Sequence, residues 1–353
     1  MTIQRLIALD GLRGVAAITV LMTHAELIAF HGYLAVDLFF IISGYVIAAS
    51  YEPRLQSERL RFGQFMQLRL VRLYPMLLLG SVTGIVATLI GWQAAEFTSE
   101  TGWATAIAAQ LLLLIGAVGA PKLLPFNNPH WSIVWELLAN AVHAAGLARA
   151  RNRVLVLLAS LSAIGMAACV AKYGSLTPGF SASTLMWGLP RVGFGYCAGV
   201  LLFRTRASWL PIVPTVSFTV PALLLFTLIS APIGDGNFRW IWPIYDLALV
   251  LLGFVPLVML TIKARGGTVA AALGTLSYPL YALHEPLIQP LVARGAGAPT
   301  KLVAGLAMVA LAWSVGKLID EPLNRWSRRL VSTDAPRGGK TAAQPAGASA
   351  ISL

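Results

Sequence analysis

Long apolar segments separated by short polar connections make up most of this chain. Runs of about 20 apolar residues, enough to cross a bilayer as helices, recur from the N-terminus to near residue 320. The alternating ten-residue pattern of a membrane β-barrel is absent from the sequence. The predicted spans are 6–28, 33–51, 74–92, 103–119, 131–148, 154–173, 185–203, 209–231, 241–262, 269–291 and 302–320. The pattern therefore predicts an all-α, polytopic integral membrane helical bundle.

Basic residues in the connections predict how the spans are oriented. The clusters are Arg54–Arg72, Arg149 with Arg151 and Arg153, Arg204 with Arg206, Lys263 with Arg265, and Arg325 with Arg328 and Arg329. Short loops rich in Lys and Arg stay in the cytoplasm. Two spans separate consecutive clusters from Arg149 onward, but three segments separate Arg72 from Arg149. We therefore expect 103–119, which is short and ends in Gly and Pro, to be re-entrant. About ten transmembrane helices remain, with both termini cytoplasmic.

Composition narrows the class of protein further. The 353 residues are 57% hydrophobic and 11% charged, whereas soluble domains average about 25% charged. The net charge of +12 resides largely in short loops, so it indicates topology and no nucleic-acid partner. Cys169 and Cys197 lie in apolar spans and imply no disulfide framework. We assign 1–330 to one transmembrane domain and the Pro/Gly-rich 331–353 to a disordered cytoplasmic tail.

Polar side chains inside three of the predicted spans are the candidates for function, because ionisable groups in lipid are costly and need partners. Their spacing puts the members of each set on one helical face. The sets are Arg13 with His24; Ser132, Glu136, Asn140 and His143; and Ser277, Tyr281 and His284. Arg13 and His24 are separated by three turns, roughly 16 Å. Three such faces would form if the spans lined one internal cavity.

The short turn after the first span suggests a specific contact. His24 lies at the end of that span and Asp37 near the start of the next, so we expect them to be hydrogen-bonded neighbours at the outer face. Asp37 could instead simply cap its helix. His31 and His130 fall in predicted loops and are expected to be solvated. His143 is left open between a structural and a functional role.

Arginines mark the opposite, inner boundary. Arg69 and Arg72 lie one turn apart in "QLRLVRLYP". The positive-inside rule alone could account for this pair, but two guanidinium groups at one boundary could also bind phosphates.

Six segments carry a family resemblance: "LDGLRGVAAITVLMTHA", "GYLAVDLFFIISGYVI", "QLRLVRLYP", "HWSIVWELLAN", "LSYPLYALHEPL" and "DEPL". Together they cover about residues 8–325, and with them the chain resembles the membrane-bound acyltransferase 3 family, which includes O-antigen and exopolysaccharide O-acetyltransferases. One departure is that "VWELLAN" offers only Glu136, where the family often has two acidic residues.

The resemblance implies an acyltransferase that moves groups other than aminoacyl groups. The donor would be cytoplasmic acyl-CoA, commonly acetyl-CoA. The acceptor would be a hydroxyl of an extracytoplasmic glycan or lipid-linked sugar, such as exopolysaccharide or lipopolysaccharide, at the bacterial cytoplasmic (inner) membrane. A thioester is already activated, so neither a metal nor a permanently bound cofactor is expected.

Functional residues of the family match five positions of this sequence: Arg13, His24, Arg69, Arg72 and Glu136. On that basis we expect the following roles, in which we also include Asp37, Tyr281 and His284. His24 would be the general base, and Asp37, with Glu136 as the alternative, would orient its ring. Arg13, Arg69 and Arg72 would bind the donor, and Tyr281 and His284 the acceptor. Two other readings stay open at this point: a secondary transporter that uses His24, Asp37 and Glu136 as a proton relay, and a subunit for polysaccharide export.

Overall fold

The computed structural model describes residues 3–28, 30–94, 102–115, 122–232 and 241–326. The predicted tail, 331–353, lies outside these residues. The α-helices are α1 Ile3–His24, α2 Ala35–Gln56, α3 Phe62–Leu89, α4 Gly102–Leu111, α5 Trp131–Val142, α6 Asn152–Tyr173, α7 Gly188–Arg204, α8 Arg206–Trp209, α9 Thr219–Ser230, α10 Trp242–Ala248, α11 Phe254–Lys263, α12 Thr268–Ala293 and α13 Ala298–Val315. Helical π turns at His143–Leu147, Leu249–Gly253 and Gly316–Asp320 extend α5, join α10 to α11 and extend α13.

Seven helical segments within the described ranges are long and apolar enough to cross a membrane. They are Ile7–His24, Gly32–Gln56, Phe62–Leu89, Asn152–Tyr173, Ala182–Arg204, Trp242–Lys263 and Ala298–Trp326. The chain is thus an all-α, multi-pass membrane protein, while the count of about ten spans stays a prediction. In the suspected re-entrant segment the described helix, α4, has 10 residues. At about 15 Å it is half the thickness of the hydrocarbon core.

Burial distinguishes the central helices from the peripheral ones. The segment containing α2 is 78% buried, whereas the segments of α6 and α13 are 17% and 22% buried. Large aliphatic side chains such as Leu161 and Leu306 are exposed on those two peripheral helices. Apolar side chains on the outside are stable in contact with lipid, so α2 lies inside the bundle and α6 and α13 lie at its periphery.

Glycines bring two pairs of helices into close contact. A Cβ atom added at Gly14 of α1 would collide with the backbone carbonyl of Leu273 in α12. Likewise, a Cβ at Gly199 of α7 would collide with the carbonyl of Ile41 in α2. Small residues allow this approach of helix backbones inside membranes. The pairs α1–α12 and α2–α7 carry the polar residues described below.

A proline in α12 determines where the segment before α5 docks. Pro286 has no N–H, so the carbonyl of Ala282 lacks its usual helical donor. Asn127 Nδ2 donates to that oxygen at 2.8 Å, and His130 Nε2 lies 3.2 Å from it. His130 is fully buried, so the prediction that it is solvated is wrong. The loop that contains it turns into the bundle and satisfies a carbonyl there.

The turn between α1 and α2 also folds inward. His31 is fully buried, and its Nδ1 lies 2.6 Å from Asp246 Oδ1 of α10. Its ring packs against Trp242 and Tyr245. The prediction of a solvated His31 is therefore also wrong, because a short turn does not have to lie in water when a buried carboxylate needs a partner.

Candidate active site

The imidazole of His24 is hydrogen-bonded to a second histidine. His24 Nδ1 lies 2.8 Å from Nε2 of His284, and the two rings stack with centroids 4.8 Å apart. His24 ends α1, and His284 lies on α12, the helix against which α1 packs most extensively. This corrects the predicted contact between His24 and Asp37. A short turn brings two helix ends together, but helix packing decides which faces meet.

Backbone carbonyls fix the proton positions on both rings. His284 Nδ1 lies 2.9 Å from the Tyr281 carbonyl and 3.2 Å from the Leu280 carbonyl. Carbonyl oxygens only accept, so His284 Nδ1 carries the hydrogen, and in the neutral ring Nε2 is then the acceptor. His24 Nδ1 must therefore donate to His284 Nε2. That leaves Nε2 of His24 with a lone pair, which is the state a general base needs.

Asp37 pairs with an arginine that the sequence analysis did not single out. Arg191 Nε lies 3.0 Å from Asp37 Oδ1, and Arg191 Nη2 lies 2.6 Å from Oδ2. The side chains are 3% and 0% exposed. Asp37 belongs to α2 and Arg191 to α7, so this bidentate pair crosses the second of the two close helix contacts.

The signal for Arg191 was present in the sequence. It is a single arginine within "WGLPRVGFGY", inside a predicted span, and an ionisable residue inside a span indicates function by default. Asp246 in "WPIYDLALV" carries the same signal. Both were missed because their partners, Asp37 and His31, lie far away in the sequence.

His24 lines a cavity of about 260 Å³, the His24 cavity. Its lining includes the aromatic side chains Tyr33, Trp131, Phe180 and Tyr281 and the polar side chains Asn128, Thr177 and Gln289. Three charged side chains complete it: Arg191, and Lys122 with Glu285, whose Nζ–Oε1 distance is 3.0 Å. Aromatic faces with a few convergent polar groups are typical of sites for small polar molecules.

Glu136 of α5 is bonded to residues of α2 and α3. It accepts hydrogen bonds from Ser43 Oγ at 2.7 Å and from Arg69 Nη2 at 3.1 Å. Arg69 is thus held inside the protein by a carboxylate, and the two arginines predicted to act as a pair have different partners. Arg72 instead bonds Asp320 Oδ1 at 2.8 Å.

A narrow cavity of about 30 Å³ surrounds this carboxylate, with room for no more than a water or two. This Glu136 cavity is lined by Arg13, Val36, Phe39, Phe40, Leu73, Ser132, Ile133, Glu136, Ser277, Tyr278 and Tyr281. The Tyr281 hydroxyl lies 2.6 Å from Ser132 Oγ and 3.0 Å from the Pro129 carbonyl. Tyr281 therefore stands between the Glu136 cavity and the His24 cavity and lines both.

The remainder of the polar face on α5 points toward other partners. Tyr196 donates to Asn140 Oδ1 at 3.2 Å, and His143 Nε2 lies 3.6 Å from Glu52 Oε2. Asn140 and His143 are both fully buried. They connect α5 to α7 and α2.

A third cavity, of about 260 Å³, lies on the Arg13 side of the bundle. We call it the Arg72 cavity, and its charged lining residues are Asp10, Arg13, Arg72, Asp320 and Glu321. Arg13, Ser277 and Tyr278 line both it and the Glu136 cavity, while Val36 and Tyr281 line both the Glu136 cavity and the His24 cavity. The three cavities thus follow one another along α1, from the region of Arg13 to His24.

Comparison with known proteins identifies the family to which the chain belongs. A family model described as "Acyltransferase domain" matches residues 6–317. "Protein 2 in picA locus" of Rhizobium radiobacter is 35% identical over 193 residues, covering 48% of this chain and 97% of that protein. "Putative membrane-bound transacylase BcsY" of Komagataeibacter xylinus is 27% identical over 360 residues, covering 86% of this chain and 89% of that protein. No solved structure matches.

Proposed function

Because this chain belongs to the acyltransferase 3 family, we propose that it moves an acyl group, in the simplest case acetyl, across the membrane. The donor is acyl-CoA at the cytoplasmic side, and the acceptor is a hydroxyl of an extracytoplasmic glycan or lipid-linked sugar. Membership of this family makes the chain an enzyme, so we set aside the hypotheses of a secondary transporter and of a polysaccharide-export subunit. A relative is itself named a membrane-bound transacylase. We place the enzyme in the bacterial cytoplasmic (inner) membrane with both termini inside.

The observation that carries this proposal is the line of three cavities along α1. The Arg72 cavity contains guanidinium groups suited to the phosphates of coenzyme A, and the His24 cavity contains the base. The pantetheine arm is long and thin enough to follow such a line while the nucleotide stays behind. The Glu136 cavity is the constriction on this route, so the side chains around it must move for the thioester to pass.

His24 is the general base of the proposed reaction. Its Nε2 removes the proton from the acceptor hydroxyl as the oxygen attacks the thioester carbonyl carbon. The new C–O bond forms, the C–S bond breaks, and the imidazolium returns the proton to the departing thiolate. His284 holds the ring in the tautomer that leaves Nε2 free. This is the role the sequence analysis gave to Asp37 or Glu136.

The lining of the His24 cavity supports a sugar as acceptor. A sugar ring presents C–H faces that pack on aromatic side chains such as Trp131 and Phe180. Its hydroxyls pair with amide and hydroxyl groups such as those of Asn128 and Thr177. Tyr281 keeps the acceptor-binding role predicted from the sequence, whereas we assign His284 to orienting His24.

Sealed membrane vesicles of known orientation provide the test. Acetyl-CoA labelled in the acetyl group is supplied to one face, and label in the glycan fraction is measured. Transfer is expected only when the donor contacts the face that carries the Arg54–Arg72 segment, and the labelled glycan should lie on the other face. Mass spectrometry of surface glycan from wild-type and deletion strains identifies the acceptor. Equal transfer from both faces, or unchanged glycan in the deletion strain, would refute the proposal.

A further inference from the structure

Arg191 is a buried cation in the wall of the cavity that contains the proposed base. Its side chain is 3% exposed and lines the His24 cavity. Burying a charged side chain inside a membrane protein costs free energy, and such residues usually have a function. No role for Arg191 follows from the sequence alone, and Arg191 takes no part in the mechanism above.

The guanidinium plane is fixed on several sides. Asp37 holds Nε and Nη2 through both of its oxygens, and Nη2 also lies 3.3 Å from the Tyr33 carbonyl. The guanidinium carbon lies 5.6 Å from the centre of the Trp131 ring. Among the described residues, none of the hydrogen bonds of Arg191 uses Nη1. That nitrogen is available to a ligand in the cavity.

A second arginine of α7 shows what a purely structural guanidinium looks like. Arg204 bonds Glu52 through Nε at 2.8 Å, so this pair also joins α7 to α2, about 20 Å further along the helices. Its Nη1 and Nη2 donate to the carbonyls of Leu147, Ala148 and Ala150 and to Asn152 Oδ1. All three nitrogens of Arg204 are used within the protein, whereas Arg191 keeps one for the cavity.

We propose that Arg191 stabilises the oxyanion formed during acyl transfer and that Asp37 positions it. This inference rests on the proposed function. When the acceptor oxygen bonds to the thioester carbon, the carbonyl π electrons move onto oxygen, and they return when the C–S bond breaks. A fixed cation beside that oxygen favours the tetrahedral state over the ground state. Asp37 thus acts on the reaction through Arg191, just as His284 acts through His24.

The test removes both charges of the pair together, so that neither remains alone in the interior. Asp37→Asn/Arg191→Gln keeps polar groups of similar shape and leaves the net charge unchanged. Its kcat for acetyl transfer, per folded molecule, should fall about 10²–10³-fold, the usual effect of losing one oxyanion donor. Binding of acetyl-CoA should stay at the wild-type level, because the donor phosphates lie at the far cavity.

Glu52→Gln/Arg204→Gln is the matched control, since it neutralises the other α2–α7 pair. This variant should keep the wild-type kcat per folded molecule, whatever its yield. Arg191→Lys is the second variant; it keeps the charge without the planar fork and should lie between wild type and the double variant. Wild-type kcat in a folded Asp37→Asn/Arg191→Gln protein would overturn the role of Arg191. Failure of wild-type protein to transfer acetyl at all would instead overturn the proposed function.

Discussion

The cavities at the two ends of the line have the same size and opposite character. The His24 cavity and the Arg72 cavity each measure about 260 Å³. The first is lined by aromatic rings and by His24, and its arginine is held by Asp37. The second has five charged side chains and few rings. The proposed reaction site and the proposed donor site therefore differ in their lining residues and not in volume.

The two end cavities should affect different quantities, namely the rate of transfer and the affinity for the donor. A change in the His24 cavity should alter rate without altering donor affinity, and a change in the Arg72 cavity should do the reverse. A change at Glu136, between them, should alter stability. The following variants test this division, from the largest expected effect to the smallest.

Loss of His24 should give the largest effect. His24→Ala should lower acetyl transfer per folded molecule by about 10²–10⁴-fold, the typical contribution of a general base. His24→Gln should be nearly as inactive, because an amide does not accept a proton at neutral pH. Donor binding should be unchanged in both. Near wild-type transfer by folded His24→Gln protein would show that His24 is not the base, and the His24 cavity would then lose its proposed role as the reaction site.

Loss of Arg69 should act on folding. Arg69→Ala leaves Glu136 in the interior without its cation, and breaking a buried pair costs about 3–5 kcal/mol. The yield of folded protein should drop, and Arg69→Ala/Glu136→Ala should recover part of it. Thermal unfolding in detergent measures both. A stable Arg69→Ala protein with weakened donor binding would instead return Arg69 to the donor site predicted from the sequence.

Loss of Arg72 should act on affinity. Removing one charge-assisted contact to phosphate costs about 1.5–3 kcal/mol, so Arg72→Ala should raise the Kd for acetyl-CoA by roughly 10–150-fold. Arg72→Lys should also weaken binding, because lysine lacks the bidentate fork. Lys172→Ala is the control, since Lys172 is exposed on α6 and lies over the rings of Tyr173 and Trp187, away from this cavity. Equal affinity in wild type and Arg72→Ala would show that the phosphates bind elsewhere.

Loss of His284 should give the smallest effect. It tests whether His284 fixes the tautomer of His24. His284→Phe keeps a ring beside His24 but removes the acceptor for its Nδ1. One neutral hydrogen bond is worth about 0.5–1.5 kcal/mol, so kcat should fall by up to about tenfold. His284→Asn offers an amide oxygen in place of Nε2 and should retain more activity than His284→Phe. Equal kcat in all three proteins would show that His24 keeps its tautomer unaided.

Much of the fold and part of the site could be predicted from the sequence. The spacing of Arg13 and His24 places them on one face of α1, and the structure puts both beside the line of cavities. Periodicity within one helix is a local property, so it could be predicted. The pairing of His24 with His284, 260 residues away in sequence, depends on which helices pack together, and no local pattern specifies this.

The errors have the same physical origin. Asp37 was paired with its neighbour in sequence, but it points toward α7 and pairs with Arg191. His31 and His130 were placed in water because they lie between apolar runs, yet each partners a buried acceptor. The charged residues that needed partners could be read from single segments. The partner of each charged residue could be identified only from the packing of the helices.

The late position of α12 in the sequence also sets the order in which the proposed catalytic centre is completed during biosynthesis. A chain leaves the ribosome N-terminus first, so the helix that carries His24 and the loop that carries Asn127 and His130 are made long before α12. Until α12 is inserted, that loop has no Ala282 carbonyl to receive its hydrogen bonds, and His24 has no His284. A nascent or truncated polypeptide that lacks α12 therefore holds the proposed base, His24, without its partner His284.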